Sequence, residues 1–283
     1  MTSIDRRTFV KVLGAGTAGV ALGCSPKTMS GASGARKIDR IGIQLYTVRN
    51  DMEKDFEGTL SKIAGIGYKE VEFAGYFNHS PSDVRAILNR LNITAPSAHG
   101  PLTMLTDNWQ KTIDDAKVMG HEYLIVAYLN DDQRKSLDDY RRHADLFNSA
   151  GEIARKSGVK LGYHNHDFEF KPMEGQVPYD LLLERTDPNL VKLEMDLFWI
   201  TNAGQSPLTY FSRYPGRIEL VHVKDMDASK KMVDVGKGTI NWAQIFAERD
   251  KAGIRHFFVE HDNPPVPLDS AKTSYDYLST LTF

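Results

Sequence analysis

Residues 137–166 read LDDYRRHADLFNSAGEIARKSGVKLGYHNH and contain the unit from which the rest of the chain is built. Leu137 to Ser157 places apolar residues at helical spacing, and Gly158 suits the left-handed backbone that ends a helix. Lys160 to His164 is then a short apolar run of strand length. The same sequence of helix, cap and strand recurs along the chain, with the other caps at Gly67, Asn92, Gly120 and Gly253.

The repeated unit predicts eight strands that alternate with eight helices. The strands are expected at Ile41 to Tyr46, Glu70 to Phe73, Thr94 to His99, Tyr123 to Ala127, Lys160 to His164, Val191 to Asp196, Ile218 to Val223 and His256 to Glu260. The helices are expected at Phe56 to Ile66, Ser82 to Leu91, Asn108 to Met119, Leu137 to Ser157, Tyr179 to Arg185, Leu208 to Tyr214, Trp242 to Ala252 and Ser270 to Leu281. Strict alternation favours a parallel sheet, and no glycine-rich dinucleotide turn follows the first strand. We therefore expect an α/β fold, a single (β/α)₈ TIM barrel over residues 38–283.

The N-terminal segment is predicted to be a targeting sequence rather than part of the barrel. Residues 6–11 (RRTFVK) precede the weakly apolar run Val12 to Gly23, as the charged and apolar regions of an export signal do. Adjacent arginines resemble a twin-arginine signal, although Asp5 stands where Ser or Thr is usual. The apolar run is shorter than the roughly 20 residues that a membrane-spanning helix needs. Residues 1–24 are thus expected to be a signal peptide.

Cys24 is the only cysteine, so an internal disulfide is excluded. It follows Val20-Ala21-Leu22-Gly23, a loose match to a lipoprotein cleavage site, and it is either lipidated or lost with the signal. Residues 25–37 are rich in Ser, Gly, Ala and Lys and would form a flexible tether. We expect an exported protein, periplasmic or anchored by lipid to a membrane that faces the periplasm.

Charge and composition point to a small-molecule partner. The chain has 283 residues, with 35 basic and 37 acidic side chains and a formal net charge of -2. A nearly neutral chain lacks the basic surface with which proteins bind nucleic acid, and a membrane would be reached only through a lipid at Cys24.

Ionisable residues gather at the C-terminal ends of the expected strands. They are Glu72, His99, His164, Asp196, His222 and Glu260. In a barrel these ends meet at one mouth, where active sites form. Two carboxylates and two imidazoles, from His164, Asp196, His222 and Glu260, would suit one divalent metal ion, with Mn²⁺ the first choice and Co²⁺, Zn²⁺ or Mg²⁺ as alternatives.

Four segments carry a resemblance to a known family. They are YHNHDFEF at 163–170, EMDLFW at 194–199, HVKDM at 222–226 and FVEHD at 258–262. Together they resemble the sugar phosphate isomerase/epimerase superfamily of xylose isomerase-like barrels. The resemblance implies a metal held by Glu, Asp, His and Glu after strands five to eight. Asp196, His222 and Glu260 match the last three positions.

The first position differs, because His164 stands where the family has glutamate. Ketose epimerases of the family use the two glutamates as paired acid and base, so His164 removes one of them. The segments at His164 and His222 look closer to the inosose dehydratase branch and to exported lyases or hydratases that act on 3-keto-glycosides.

The resemblance implies removal of the proton α to a carbonyl of a sugar or keto-sugar, through an enediolate. Glu260 would be both metal ligand and base. His166 or Lys224 could be the general acid, since a lysine desolvated beside a cation can have its pKa lowered. Glu194 could orient a metal ligand.

Other residues at the strand ends could line the substrate pocket: Tyr46, Glu72, His99 and Trp199. Three functions remain open at this point. An isomerase or epimerase would interconvert sugars, a lyase or dehydratase would expel a substituent, and a non-catalytic exported sugar-binding protein would need no metal. Gly236-Lys237-Gly238-Thr239 lacks the context of a phosphate loop and is expected to be a loop over the mouth.

Overall fold

The computed structural model describes residues 35–283. The expected signal peptide, with Cys24, and the tether up to residue 34 lie outside the described residues. None of the helices in residues 35–283 is both long enough and apolar enough to cross a bilayer.

The described residues form the expected barrel. Eight parallel strands close in the order β1-β10-β7-β6-β5-β4-β3-β2. They are β1 (Ile41–Gln44), β2 (Glu70–Phe73), β3 (Thr94–Gly100), β4 (Tyr123–Val126), β5 (Lys160–His164), β6 (Val191–Asp196), β7 (Ile218–Val223) and β10 (His256–Val259). The predicted bounds of β2, β5, β6 and β7 are confirmed residue for residue, and the other strands differ by one or two residues at their C-terminal ends.

Helices surround the barrel. They are α1 (Arg49–Lys54), α2 (Phe56–Ile66), α3 (Pro81–Leu91), α4 (Met104–Asp107), α5 (Trp109–Met119), α6 (Leu137–Lys156), α7 (Pro178–Arg185), α8 (Leu197–Asn202), α9 (Pro207–Arg213), α10 (Trp242–Ala247), α11 (Arg249–Ala252) and α12 (Pro267–Thr280). The prediction of one helix over Trp242 to Ala252 is wrong, because α10 ends at Ala247 and Glu248 separates it from α11. The short helices α1, α4 and α8 were not predicted, and neither was the hairpin of β8 (Asp225–Met226) and β9 (Met232–Val233).

The helix ends follow the local chemistry of the sequence. Ser136 caps α6 by accepting the backbone N–H of Asp139, whose carboxylate accepts the N–H of Ser136 in return. The predicted caps have positive φ angles: Gly67, Asn92, Gly120, Gly158 and Gly253. Each therefore turns the chain from a helix into the next strand at the position the sequence indicates.

The glycine-rich loop before α10 folds around a carboxylate of the chain itself. The backbone N–H groups of Gly236, Gly238 and Ile240 donate to Asp225, at 2.9, 3.1 and 3.3 Å. The indole Nε1 of Trp242 also donates to Asp225, at 3.0 Å. The donors that could have held a phosphate group are thus used to attach this loop to β8, which begins two residues after β7.

Two helical glycines should respond oppositely to substitution. In α6, a Cβ on Gly151 would lie 2.5 Å from the Leu190 carbonyl oxygen, whereas in α2 a Cβ on Gly65 would meet nothing within 4 Å. We expect Gly151→Ala to lower the free energy of unfolding by about 1–3 kcal/mol through overpacking. Gly65→Ala should raise it by about 0.5–1 kcal/mol, because alanine favours the helix. Urea denaturation of both variants checks this, and equal stabilisation of both would contradict the packing described for α6.

Candidate functional site

A cavity of ≈ 510 Å³ opens at the C-terminal ends of the barrel strands. Its reactive end is lined by His99, His164, His166, Lys224, Glu260 and Asp262, and its outer wall by Tyr46, Ala74, Gly100, Pro101, Ala127, Tyr128 and Asn263. Six residues expected from the sequence to form the site therefore reach the cavity: Tyr46, His99, His164, His166, Lys224 and Glu260. Asp196, His222, Glu72 and Glu194 are fully buried around it.

His222 is enclosed by carboxylates. Its Nδ1–H donates to Glu260 Oε2 at 2.7 Å, and its Nε2–H donates to Glu72 Oε2 at 2.6 Å. Glu194 Oε2 lies 3.2 Å from the same Nε2. Burial alone would lower the pKa of His222, but the charges of Glu194, Glu260 and Glu72 raise it well above its usual value. The ring is therefore held as a cation in this arrangement.

Lys224 lies among three carboxylates. Its Nζ is 2.7 Å from Glu260 Oε2, 2.9 Å from Asp196 Oδ2 and 2.9 Å from Asp262 Oδ1, and only the contact with Asp262 has hydrogen-bond alignment. Burial opposes the charge of Lys224, but Asp196, Glu260 and Asp262 outweigh it and raise the pKa. The expected lowering of the lysine pKa concerned a lysine beside a metal ion and stays a prediction for the metal-bound site.

Asp196 is fixed by the chain on both sides. Its Oδ1 accepts the backbone N–H of Trp199 at 2.9 Å and so caps α8. Its backbone N–H donates to the side chain of Asn165 at 3.2 Å. Burial raises the pKa of Asp196 to about 6, against the lowering effect of Lys224. Its Oδ2 receives no aligned hydrogen bond from the described residues.

His164 lies near Asp196 Oδ2, the oxygen that is also in ion-pair contact with Lys224. Burial and the charge of the nearby His222 together lower the pKa of His164 to about 3, so the ring is neutral. Its Nδ1–H donates to Glu194 Oε2 at 3.1 Å, which leaves a lone pair on Nε2. That Nε2 lies 3.6 Å from Asp196 Oδ2. His164 Nε2 and Asp196 Oδ2, the latter also in contact with Lys224 Nζ at 2.9 Å, are therefore two electron-pair donors that could bind one metal ion.

Glu72 and Glu194 form a polar layer beneath the cavity. Glu194 Oε2 accepts from His99 at 2.5 Å, while Glu194 Oε1 has no partner among residues 35–283. Glu72 accepts hydrogen bonds from Gln44 Nε2 at 2.8 Å and from Ser97 Oγ. Neither carboxylate forms the pocket wall expected of Glu72, and both contact the His222 ring from below.

Gln44 and Ser97 were not predicted as site residues, because they are neutral and stand within apolar strands. Glu169 was not predicted either; it is fully buried and accepts the backbone N–H of His166 at 2.8 Å and the hydroxyl of Tyr163 at 2.6 Å. Burial raises the pKa of Glu169 to about 7. The local sequence signal for Glu169 was its place in the HNHDFEF segment, two of whose residues, His164 and His166, were assigned to the site.

His166 and Trp199 form one side of the site. Their ring centroids are 5.6 Å apart, and Lys224 Nζ lies 5.9 Å from the Trp199 ring. Burial lowers the pKa of His166 well below its usual value, and His164 and Lys224 lower it further. His166 Nδ1 and Trp199 Nε1 are buried and have no partner in the part of the chain that the structure describes. His166 lines the cavity, whereas Trp199, which was expected to line it, is not among the lining residues.

Two overlapping sets of side chains could hold a metal ion. In each set, ligand atoms lie within 4.8 Å of one another. One set is Asp196, His222 and Glu260, and the other is His99, His164, Glu194 and His222. The four ligands expected from the sequence are divided between the two sets, with His222 common to both. The two sets adjoin where His164 Nε2 lies 3.6 Å from Asp196 Oδ2.

Known proteins share this fold and part of this sequence. An inosose dehydratase of Geobacillus kaustophilus (strain HTA426) is 27% identical over 270 residues, covering 78% of this chain and 86% of that protein. An inosose dehydratase of Lacticaseibacillus casei is 25% identical over 194 residues, and the chain spans 64% of its length. The curated relatives that resemble this chain are therefore enzymes that act on small sugar-like molecules.

Solved structures agree with the fold. A sugar phosphate isomerase/epimerase from Parabacteroides distasonis ATCC 8503 superposes with a TM-score of 0.76 at 26% identity, over 86% of this chain and 98% of that one. A crystal structure of the IOLI protein with a bound zinc atom superposes with a TM-score of 0.66 at 16% identity, over 84% and 95%. The model of the xylose isomerase-like TIM barrel family matches residues 60–281, which is most of the chain. The resemblance found in the sequence is confirmed, and the chain belongs to the xylose isomerase-like TIM barrel family.

Proposed function

We propose that this protein is a divalent-metal-dependent carbon–oxygen lyase that acts on a keto-sugar or keto-polyol. It would remove the proton α to the carbonyl and expel the oxygen substituent at the β carbon. The observation that carries the proposal is the pairing of Glu260 and Lys224, whose Oε2 and Nζ lie 2.7 Å apart at the cavity wall. Glu260 as proton acceptor and Lys224 as proton donor would thus act on the substrate from the same side of the cavity.

The residues of the mouth fit a metal ion. His164 Nε2, Asp196 Oδ2, His222 Nδ1 and a Glu260 oxygen would hold it, with neutral and anionic donors that suit Mn²⁺, Co²⁺, Zn²⁺ or Mg²⁺. Carboxylates outnumber cationic side chains around this point, which favours a doubly charged ion. When bound, such an ion would supply Lewis acidity that stabilises the enediolate of the substrate. The zinc atom in the IOLI protein supports the presence of a metal in this fold.

Glu260 is suited to be the base. Burial alone would raise its pKa, but Lys224 and His222 lower it well below the usual value, so the carboxylate is ionised. It would take the proton from the α carbon of the substrate. Lys224, which is protonated, would give a proton to the leaving oxygen as the C–O bond breaks and the C=C bond forms. Glu260 could then return its proton to Lys224 across the 2.7 Å contact.

Elimination fits this site better than two-base epimerisation. The second glutamate of the ketose epimerases is replaced by His164, which is buried, neutral and already donating its Nδ1–H to Glu194. Its pKa of about 3 makes it a weak base. The names of the inosose dehydratase relatives also support elimination.

An isomerase or epimerase is the second candidate. His166 favours it, because this neutral side chain lines the same cavity and its Nδ1 is without a partner among the described residues. The name of the Parabacteroides distasonis structure also supports this reading. In that case His166 would supply the second proton transfer, and the product would have the mass of the substrate.

Metal binding should depend on the buried ligands. We expect the protein to bind one equivalent of Mn²⁺, and Asp196→Asn or His222→Ala to weaken binding by more than about 100-fold. Binding should release a proton, because His222 must give up its Nδ1–H to become a ligand. Calorimetry in buffers of different ionisation enthalpy measures both quantities. Exposed Glu152→Gln is the control, and wild-type affinity in Asp196→Asn would contradict the site.

Turnover should separate the two proton transfers. Glu260→Gln is expected to abolish both α-deuterium exchange and elimination, lowering the rate by about 10²–10⁴-fold. Lys224→Gln should keep α-exchange and lose elimination to a similar extent. NMR of a keto-glycoside or an inosose in D₂O follows both steps. Elimination at the wild-type rate in Glu260→Gln, or exchange with no loss of a substituent in the wild type, would refute the lyase.

We also propose that the mature barrel is exported, on the basis of the segment 1–24 alone. A lipid at Cys24 would hold it at a membrane. Cell fractionation tests this: the native chain should be in the membrane fraction, and Cys24→Ala should move it to the soluble periplasmic fraction or block its processing. A native chain that stays in the cytoplasm would contradict export.

A further inference from the structure

The outer wall of the cavity carries two exposed tyrosines that the reaction does not use. Tyr46 is 42% exposed and Tyr128 is 40% exposed, and both line the cavity whose inner end holds Glu260 and Lys224. The same cavity is also lined by Ala74, Gly100, Pro101 and Ala127, none of which has a polar side chain. We propose that this outer wall is a subsite for a second pyranose ring, so that the substrate is a disaccharide-type keto-glycoside whose leaving group is a sugar. This proposal rests on the proposed lyase function.

Both tyrosines are held in place before any ligand arrives. The guanidinium carbon of Arg49 lies 3.9 Å from the centroid of the Tyr46 ring, and Arg49 Nη1 donates to the carbonyl oxygens of Tyr46 and Asp262 at 2.7 and 2.8 Å. Arg49 Nη2 donates to Asn263 Oδ1 at 3.0 Å. Tyr46 is thereby tied to the loop that follows β10, next to the base.

Tyr128 is braced from the opposite part of the chain. Its ring packs edge-on against His166 at 4.9 Å and against Phe168 at 5.3 Å. Arg134 lies 3.6 Å over the Phe168 ring and donates to the Tyr128 hydroxyl at 3.3 Å. A platform that is already rigid loses little entropy when it binds a ligand.

The chemistry of the wall indicates what it binds. A monosaccharide that reached Glu260 would fill the polar end, and its hydroxyl groups would find few partners on the apolar wall. A pyranose has flat faces of C–H groups that pack on aromatic rings, while its edges carry hydroxyl groups. Asp262 and Asn263 stand at the same rim and could bind those edges. A cavity of ≈ 510 Å³ lies within the range of sites for ligands larger than one sugar ring.

The test uses binding of unoxidised sugars, which need no turnover. Titration calorimetry with glucose, cellobiose, maltose and phenyl β-glucoside should show at least one disaccharide binding about 10-fold or more tighter than glucose. Tyr46→Ala and Tyr128→Ala should each weaken that disaccharide by about 3–10-fold and leave glucose unchanged. Tyr46→Phe and Tyr128→Phe keep the rings and should bind as the wild type does, and exposed Ile153→Ala on α6 is the control.

Equal affinity for glucose and both disaccharides would overturn the subsite, and so would wild-type disaccharide binding in the alanine variants. Tighter binding of phenyl β-glucoside than of either disaccharide would also overturn it, because the wall would then suit an aromatic leaving group. The preference should be the same in protein treated with EDTA and protein loaded with Mn²⁺, because neither tyrosine is among the proposed metal ligands. Failure of the lyase would instead show as absence of metal-dependent deuterium exchange, whichever sugar binds.

Discussion

Carboxylates removed from water must be neutralised, and the mouth of this barrel buries Glu72, Glu194, Asp196 and Glu260 close together. His222 and Lys224 supply part of the compensating charge, and their raised pKa values are the result. The described residues do not complete this compensation, since Asp196 Oδ2 and Glu194 Oε1 accept no aligned hydrogen bond from them. A site that gathers negative charge beyond its own cations is suited to a metal ion, and the proposed chemistry depends on this imbalance.

The barrel makes the imbalance possible. Closure of eight parallel strands places side chains from β2, β3, β5, β6, β7 and β10 within contact of one another although they are far apart in the chain. His222 and Glu72, for example, are 150 residues apart and joined by a 2.6 Å contact. The four buried carboxylates belong to residues that lie within a strand or directly follow one, and Asp196 also caps α8. Because the strands are rigid, they hold these like charges close together, whereas flexible loops would let the charges move apart.

The strands and most helices could be predicted because their signals are local. Apolar runs ending in charge defined β5, β6 and β7, and Gly158 with its counterparts marked the helix ends. The break at Glu248 could not be predicted, since the apolar pattern continues across it. Four residues proposed as ligands lie around one mouth, yet which atoms face each other depends on strand register and rotamers that periodicity does not contain.

The same limit explains the residues that were missed or placed differently. Glu72 was expected on the pocket wall and lies beneath it, because a side chain at a strand end can point to the barrel axis below the rim. Gln44 and Ser97 are neutral, so nothing in their local sequence distinguished them from core residues. The three carboxylates around Lys224 were not predicted for a related reason, since they come from β6 and from the residues that follow β10.

The proposed chemistry requires one divalent cation between Asp196, His222, Glu260 and His164. Anomalous diffraction from a crystal grown with Mn²⁺ tests it most directly. We expect a single strong anomalous peak at about 2.0–2.3 Å from oxygen or nitrogen atoms of these four side chains. A peak confined to His99 and Glu194, or the absence of any peak at the mouth in metal-loaded crystals, would contradict it.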